Sequence, residues 1–208
     1  MTYNGTLSKL QRLLYGVPQG SVLGPLLFNL YTADIGTIVE SHGHRLHQYA
    51  DDCQVYVSVP VTDAAAAVDR FSRCIADVST WLSSSRLRLN PAKTVVIWLG
   101  GRQQVANIAV SNIPVLSSTV TTVASARDLG VVVDSQLTMS ANVSSTCQSA
   151  YHQLRQLRPV VRSLSVDAAK TAVQSFVSTR LDYCNSLMYG IADGLMQGFK
   201  RSRTPLHV

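Results

Sequence analysis

Charge is scarce in this sequence. Only 14% of its 208 residues are Asp, Glu, Lys or Arg, against about 25% in an average soluble domain, which predicts faces that something else covers. Long apolar runs are missing too. The richest stretch, residues 22–31, is interrupted by Gly24, Pro25 and Asn29 and falls well short of the ~18 residues that span a bilayer. No membrane-spanning helix is therefore expected. The first ten residues, MTYNGTLSKL, hold no basic segment followed by an apolar one, so the chain reads as having no signal peptide. Cysteine is sparse: Cys53, Cys74, Cys147 and Cys184 stand far apart with no C-x-x-C pair. Free thiols in a reducing compartment follow, and with them an intracellular setting, nuclear or cytoplasmic, rather than a secreted one. Internal repeats and low-complexity linkers are absent as well.

The positive charge is unevenly placed. The net charge is +6; residues 1–140 carry ten Lys/Arg against nine Asp/Glu, and residues 141–208 carry eight against three. A basic C-terminal end points to a polyanionic partner, although a solvated basic face has the same composition. His42, His44 and His47 form H-x-H-x-x-H in a Gly-containing loop with no cysteine or carboxylate beside them. An ordinary loop is the better reading than a metal site.

Hydrophobic periodicity gives a mixed order that becomes all helix, an α+β class. TYNG and QRLLYG read as short strands or a hairpin leading into the Gly- and Pro-rich turn GVPQG. Leu23, Leu26, Leu27, Leu30 and Ile38 fall at helical spacing, predicting a helix over 21–39 with Pro25 near its first turn. Asp63 is placed to cap a helix over 63–82 whose stripe is Val68, Phe71, Ile75, Val78 and Leu82. An Asn-Pro turn then leads to a strand over Thr94 to Leu99. Weak strands are expected over 102–126, and DLGVVVDSQL reads as a hairpin turning at Asp134-Ser135. Val143, Cys147, Ala150, Leu154 and Leu157 step by four and three, a helical seam that Pro159 is expected to close. A second helix after Ser165 would pack Ala169, Val173, Phe176 and Val177.

Within the mixed half one stretch carries chemistry. In HQYADDCQVYVSV, residues 47–59, two adjacent aspartates sit between strand-like runs, with Val55, Val57 and Val59 alternating against Gln54, Tyr56 and Ser58. Aspartate is poor strand material, so the plain reading is a hairpin with Ala50-Asp51-Asp52 at its tip. Two neighbouring carboxylates repel each other, and divalent cations would relieve that repulsion. Both readings stand on this stretch alone.

YGVPQGSVLGPLLFNLY, then YADD, LNPAKT and LGVVVD, in that order, resemble the consecutive palm motifs of the reverse transcriptases of non-LTR (LINE-type, jockey-like) retrotransposons. STRLDYCNSLMYG is similar to the thumb of the same group, and the likeness runs from about Tyr3 to Met196. The resemblance implies a partial palm over 1–140, an antiparallel sheet backed by helices, then a helical thumb over 141–190 and a divergent basic tail over 191–208. It implies an RNA-directed DNA polymerase using two Mg²⁺ ions, deoxynucleoside triphosphates, an RNA template and a DNA primer. By the same likeness Asp51 and Asp52 are catalytic metal ligands. Gln19 and Gly20 contact the incoming nucleotide, and Tyr49 and Ala50 lie beside primer and sugar. Lys93 matches a lysine assigned to protonating pyrophosphate, though an exposed lysine after Asn-Pro is as good a reading. Arg155, Arg158 and Arg162 lie off the apolar seam, where they suit phosphate contact or a solvated face.

The same resemblance places a further catalytic aspartate and the fingers upstream of residue 3. Without them the 208 residues by themselves are expected to be inactive, leaving a non-catalytic nucleic-acid-binding remnant as the alternative. GFKRSRTPLHV departs from the apolar helical run with which such thumbs continue.

Overall fold

A computed structural model describes residues 2–3, 6–7, 16–18 and 20–203. The expected strand at QRLLYG therefore lies outside the described residues except for Gly16, and so does Gln19. The chain forms two compact units, residues 1–58 with 69–89 and residues 59–68 with 90–208.

In the first unit β1 (Thr2–Tyr3) pairs antiparallel with β2 (Thr6–Leu7). Two short helices follow, α1 (Gly24–Tyr31) and α2 (Asp34–Ser41), where the sequence predicted one. The break falls at Thr32, whose hydroxyl donates to the Phe28 carbonyl at 2.9 Å. Such a bond back to the preceding turn competes with the helical ladder and bends it. The expected apolar stripe does not become core in α1: no residue of that helix is buried, and Leu26 and Leu30 are 59% and 67% exposed. Tyr31 holds the helix end instead, its hydroxyl donating to the Ser85 carbonyl at 2.6 Å and its ring tilted against Trp81. β3 (Arg45–Tyr49) and β4 (Asp52–Tyr56) form an antiparallel hairpin. A short 3₁₀ turn over Val61–Asp63 then leads into α3 (Ala64–Ser84). Ile35 and Val39 of α2 meet Cys74 and Val78 of α3 in a small core, with Leu46 and Val55 of the hairpin packed against it.

The three histidines diverge. His42 pairs with Asp77 at 2.8 Å, His47 is exposed on β3, and His44 is buried with no partner for either ring nitrogen among the described residues. The stretch is not one loop, since His42 caps α2 and His47 belongs to β3; among the described residues no group of three metal-ligating side chains forms. Burial lowers the His44 pKa; the nearby Arg70 carbonyl opposes this, and the positive charges of Arg70 and His42 reinforce it. The unfolded chain thus binds the proton more readily than the folded one. Stability of this unit is expected to fall as pH drops below about 6.5 toward the folded-state value. His44→Leu should flatten that acid-side loss in melts recorded between pH 5 and 7.5.

In the second unit Asn90 caps a 3₁₀ turn, Pro91–Lys93. Thr94 to Leu99 does not form the expected strand. It runs beside the neighbouring loops, tied by the Val123 amide to the Val96 carbonyl at 3.0 Å and by the Trp98 indole N–H to the Val110 carbonyl at 3.0 Å. Isolated bonds of this kind make no ladder. α4 (Arg102–Ala106) precedes two hairpins, β5 (Asn112–Val115) with β6 (Ser118–Thr121) and β7 (Ser125–Asp128) with β8 (Val131–Asp134). The described strands thus form four separate two-stranded pairs rather than one sheet.

The last hairpin turns at Leu129-Gly130, with φ of 43° and 86°, not at Asp134-Ser135. Two-residue hairpin loops of this sign match the strand twist. Asp134 instead binds the loop that enters α5 (Ser140–Val161), accepting from the Gln136 and Thr138 amides and the Thr138 hydroxyl. Partial burial opposes ionisation of Asp134, but these hydrogen bonds, with one from the Met139 amide, outweigh it and lower its pKa. Asp134→Ala should therefore cost about 1–2 kcal/mol of stability at neutral pH, read as a lower denaturant midpoint. The difference from wild type should shrink as pH falls through the carboxyl's depressed range.

The seam of α5 forms as read. Val143 and Ala150 are buried and Cys147, Leu154 and Leu157 pack beside them. Pro159 does not close the helix, which runs two residues beyond it to Val161; a proline in the last turn disrupts little that follows. α6 (Val166–Val173), capped by Ser165, passes through one π turn (Gln174–Ser178) into α7 (Thr179–Asp182). The extra residue in that turn shifts the helix face. Val177 and Leu181 enter the core, while Phe176, expected inside, is 48% exposed. A 3₁₀ turn (Asn185–Met188) leads to α8 (Asp193–Arg203), so much of the segment read as a basic tail is helix, with Ile191 and Met196 packed on the core. No described helix is long and apolar enough to cross a membrane.

Candidate active site

The acidic pair stands at a two-residue hairpin turn. Tyr49 lies opposite Asp52 in the register, leaving Ala50 and Asp51 as the tip, one residue shorter than the predicted Ala50-Asp51-Asp52 turn. Ala50 has φ of 53°, a left-handed conformation that strains an L residue with a Cβ. The strand alternation also ends sooner than read: β4 stops at Tyr56, and Val57 is exposed.

Gln48 holds the turn in place. Its side-chain amide donates to the Thr32 hydroxyl at 2.9 Å and to the Ala50 carbonyl at 2.9 Å. The break between α1 and α2 is thereby tied to the tip of the hairpin. Sequence reasoning passed over Gln48; its one signal is a polar residue at a strand position facing away from Tyr49.

Asp51 and Asp52 are both exposed, and neither has a hydrogen-bond or ion-pair partner among the described residues. Their combined field is felt next door. Partial desolvation of the Cys53 thiol and the charges of Asp51 and Asp52 together raise its pKa. Adjacent carboxylates on a short, braced turn, uncommitted to other partners, fit a hard divalent cation that takes oxygen ligands. Two carboxylates alone make a shallow site, and among the described residues no third ligand joins them.

Gly20, with φ of 86°, and exposed Tyr49 share the first unit with this pair. Lys93 belongs to the second unit, in the last position of its 3₁₀ turn and exposed. Arg155, Arg158 and Arg162 come together there with Pro159, lining an open groove of 370 Å³.

Residues 2–133 match the family described as reverse transcriptase (RNA-dependent DNA polymerase), and the chain belongs to that family. More narrowly, it is part of the reverse transcriptase domain of the non-LTR retrotransposon kind. It is 28% identical over 149 residues to a probable RNA-directed DNA polymerase from transposon BS of Drosophila melanogaster, an alignment covering 69% of this chain and 16% of that protein. Against the X-element counterpart of the same species it is 32% identical over 146 residues, 68% of this chain and 15% of the relative. The polymerase of the mobile element jockey from Drosophila funebris aligns over 200 residues at 26% identity, covering 92% of this chain and 21% of its own length. The chain thus spans about a fifth or less of these relatives. No solved structure matches it significantly. Reverse transcriptases use divalent metal ions, which accords with the chemistry of the acidic turn.

Proposed function

We propose that the Asp51–Asp52 turn is the metal-holding part of an RNA-directed DNA polymerase site. The observation that carries this is an exposed pair of carboxylates, without partners among the described residues, on a braced hairpin tip in a chain of the reverse transcriptase family. Asp51 would be the principal ligand and Asp52 its neighbour for Mg²⁺. When bound, two such ions activate an attacking hydroxyl and neutralise charge on the departing group. The residues of the chain then orient the reaction: Gln48 fixes the turn, Gly20 lets backbone approach a nucleotide closely, and Tyr49 lies beside the carboxylates. Gln19 contacts the incoming nucleotide and Lys93 supplies a proton to the leaving pyrophosphate in this reading. The substrates are deoxynucleoside triphosphates with an RNA template and a DNA primer. In this reading residues 1–140 are palm and residues 141–190 thumb, and the setting is intracellular. Primer extension with and without Asp51→Asn tests the assignment.

A second reading has one observation in its favour. The Arg155, Arg158 and Arg162 groove needs no metal to hold phosphate, and the 208 residues alone lack a third carboxylate beside the pair among those described. The isolated chain is therefore expected to bind a primer–template duplex weakly without extending it. The plot of log affinity against log salt should be steep, and replacing the three arginines by glutamine should make it shallower by about 2–3. An unchanged slope in fluorescence anisotropy titrations would remove this groove from the interface.

A further inference from the structure

The turn joining α5 to α6 carries features that neither polymerisation nor duplex binding explains. Over residues 162–165 the chain leaves the helix, and Ser165 is exposed on an extended backbone, φ −64° and ψ 159°. Its hydroxyl oxygen accepts one long hydrogen bond, from the Ala168 amide at 3.3 Å. The hydroxyl proton has no acceptor among the described residues. Around this serine three apolar side chains, Val160, Leu164 and Val166, face solvent rather than core.

Arg162 stands three residues before Ser165. No other serine in the sequence has an arginine at that spacing, and Thr204, outside the described residues, is the one threonine that has. Serine kinases that select basic substrates hold such an arginine on carboxylates by charge-assisted hydrogen bonds. Exposed valine and leucine beside the acceptor suit the apolar part of such a cleft. A kinase also needs several substrate residues extended. No residue of α6 is buried, so its first turn opens at small cost.

The same turn abuts the arginine groove. Arg155, Arg158 and Arg162 follow one another at steps of three and four along α5, and no carboxylate lines the groove they form with Pro159. None of the three has a hydrogen-bond or ion-pair partner among the described residues. Three residues span at most ~11 Å, within the reach of an arginine and a phosphoserine extended toward each other. Asp167, in the first turn of α6, repels a phosphate here, one carboxylate against three guanidinium groups.

We propose that Ser165 is a phosphorylation site for a serine kinase selecting basic substrates, and that its phosphate folds onto Arg158 and Arg162 and closes the groove. The kinase moves the γ-phosphoryl group of a nucleoside triphosphate to the Ser165 Oγ. The Oγ–P bond forms, the bond from that phosphorus to the β-phosphate oxygen breaks, and the nucleoside diphosphate leaves. The hydroxyl proton passes to a base of the kinase. The product carries about −1.5 to −2 charge at neutral pH and strong acceptor oxygens, which guanidinium forks match. Its effect on duplex binding rests on the groove reading above; the modification itself does not.

The test treats the 208-residue chain with a nucleoside triphosphate and a calmodulin-dependent serine kinase, which selects arginine three residues before its acceptor. Phosphate is mapped by mass spectrometry, which separates Ser165 from Thr204. Incorporation at Ser165 is expected, retained in Ser165→Thr, lost in Ser165→Ala and slowed at least tenfold by Arg162→Gln, whose melting should match wild type. No phosphate at Ser165, or an equal rate after Arg162→Gln, would overturn the site. Arginine-selective dicarbonyl labelling without nucleic acid then reads the groove. Phosphorylation should slow labelling of Arg158 and Arg162 about fivefold and leave exposed Arg45 unchanged; equal reactivity at all three would overturn the closure. Duplex affinity of the phosphorylated chain should fall about tenfold, with a salt slope shallower by about 1–2. Masked arginines with unchanged duplex affinity would overturn the groove reading and the proposed control of binding, and leave the modification site standing.

Discussion

Asp51→Asn is expected to lower primer extension at least about 10³-fold in a complete polymerase domain carrying these residues, while duplex affinity stays within about twofold. A metal ion supplies several kcal/mol of charge stabilisation to such a transfer, and each 1.36 kcal/mol is a factor of ten in rate. Asparagine keeps the shape of the side chain but removes the charge that draws the cation. It leaves the hairpin intact, because the Asp51 carboxylate makes no bond to the described residues that the turn depends on. A complete domain can be obtained by placing residues 2–133 in the matching stretch of a jockey-type polymerase. The 208-residue chain alone should extend no primer with Mg²⁺. Extension by that chain, or undiminished synthesis after Asp51→Asn, would each overturn the assignment it tests.

Leu181→Ala should cost about 2–5 kcal/mol, the range for removing a large buried aliphatic side chain from a packed core. Leu181 is 1% exposed and sits among Val143, Ala150 and Val177. Phe176→Ala, five residues earlier, should cost under about 1 kcal/mol, because that ring is 48% exposed. On composition alone the order would be reversed, since phenylalanine is the larger side chain. Chemical denaturation of both variants decides it; equal losses would mean that the π turn does not set the helix face as described.

The acidic turn and the α5 seam were legible because each repeats a simple period. Val55 against Gln54 and Tyr56 marks a strand beside a pair of aspartates, and Val143 through Leu157 steps by four and three along a helix. What escaped depends on neighbours the pattern does not contain. Thr94 to Leu99 has strand composition, yet a ladder needs a partner at matching register, and among the described residues the bonds to Val110 and Val123 are scattered. Asp134-Ser135 has turn composition, but the Asp134 carboxylate is used on the Thr138 and Gln136 amides, and the bend falls on Leu129-Gly130. A single π turn moved Phe176 out of the face its spacing assigned to it. At the site, the residue types Asp-Asp were visible, whereas the bracing by Gln48 and Thr32 required the break between α1 and α2.

The left-handed backbone of Ala50 has a consequence for how this turn can change over generations. Alanine and glycine codons differ by one base, and glycine at this position would relieve on the order of 1 kcal/mol of conformational strain. The simplest route to a sturdier hairpin is therefore always one mutation away. It would also free the backbone directly before Asp51, spreading the carboxylate over more orientations. Sturdiness of the fold and precision of the acidic pair pull in opposite directions at one methyl group.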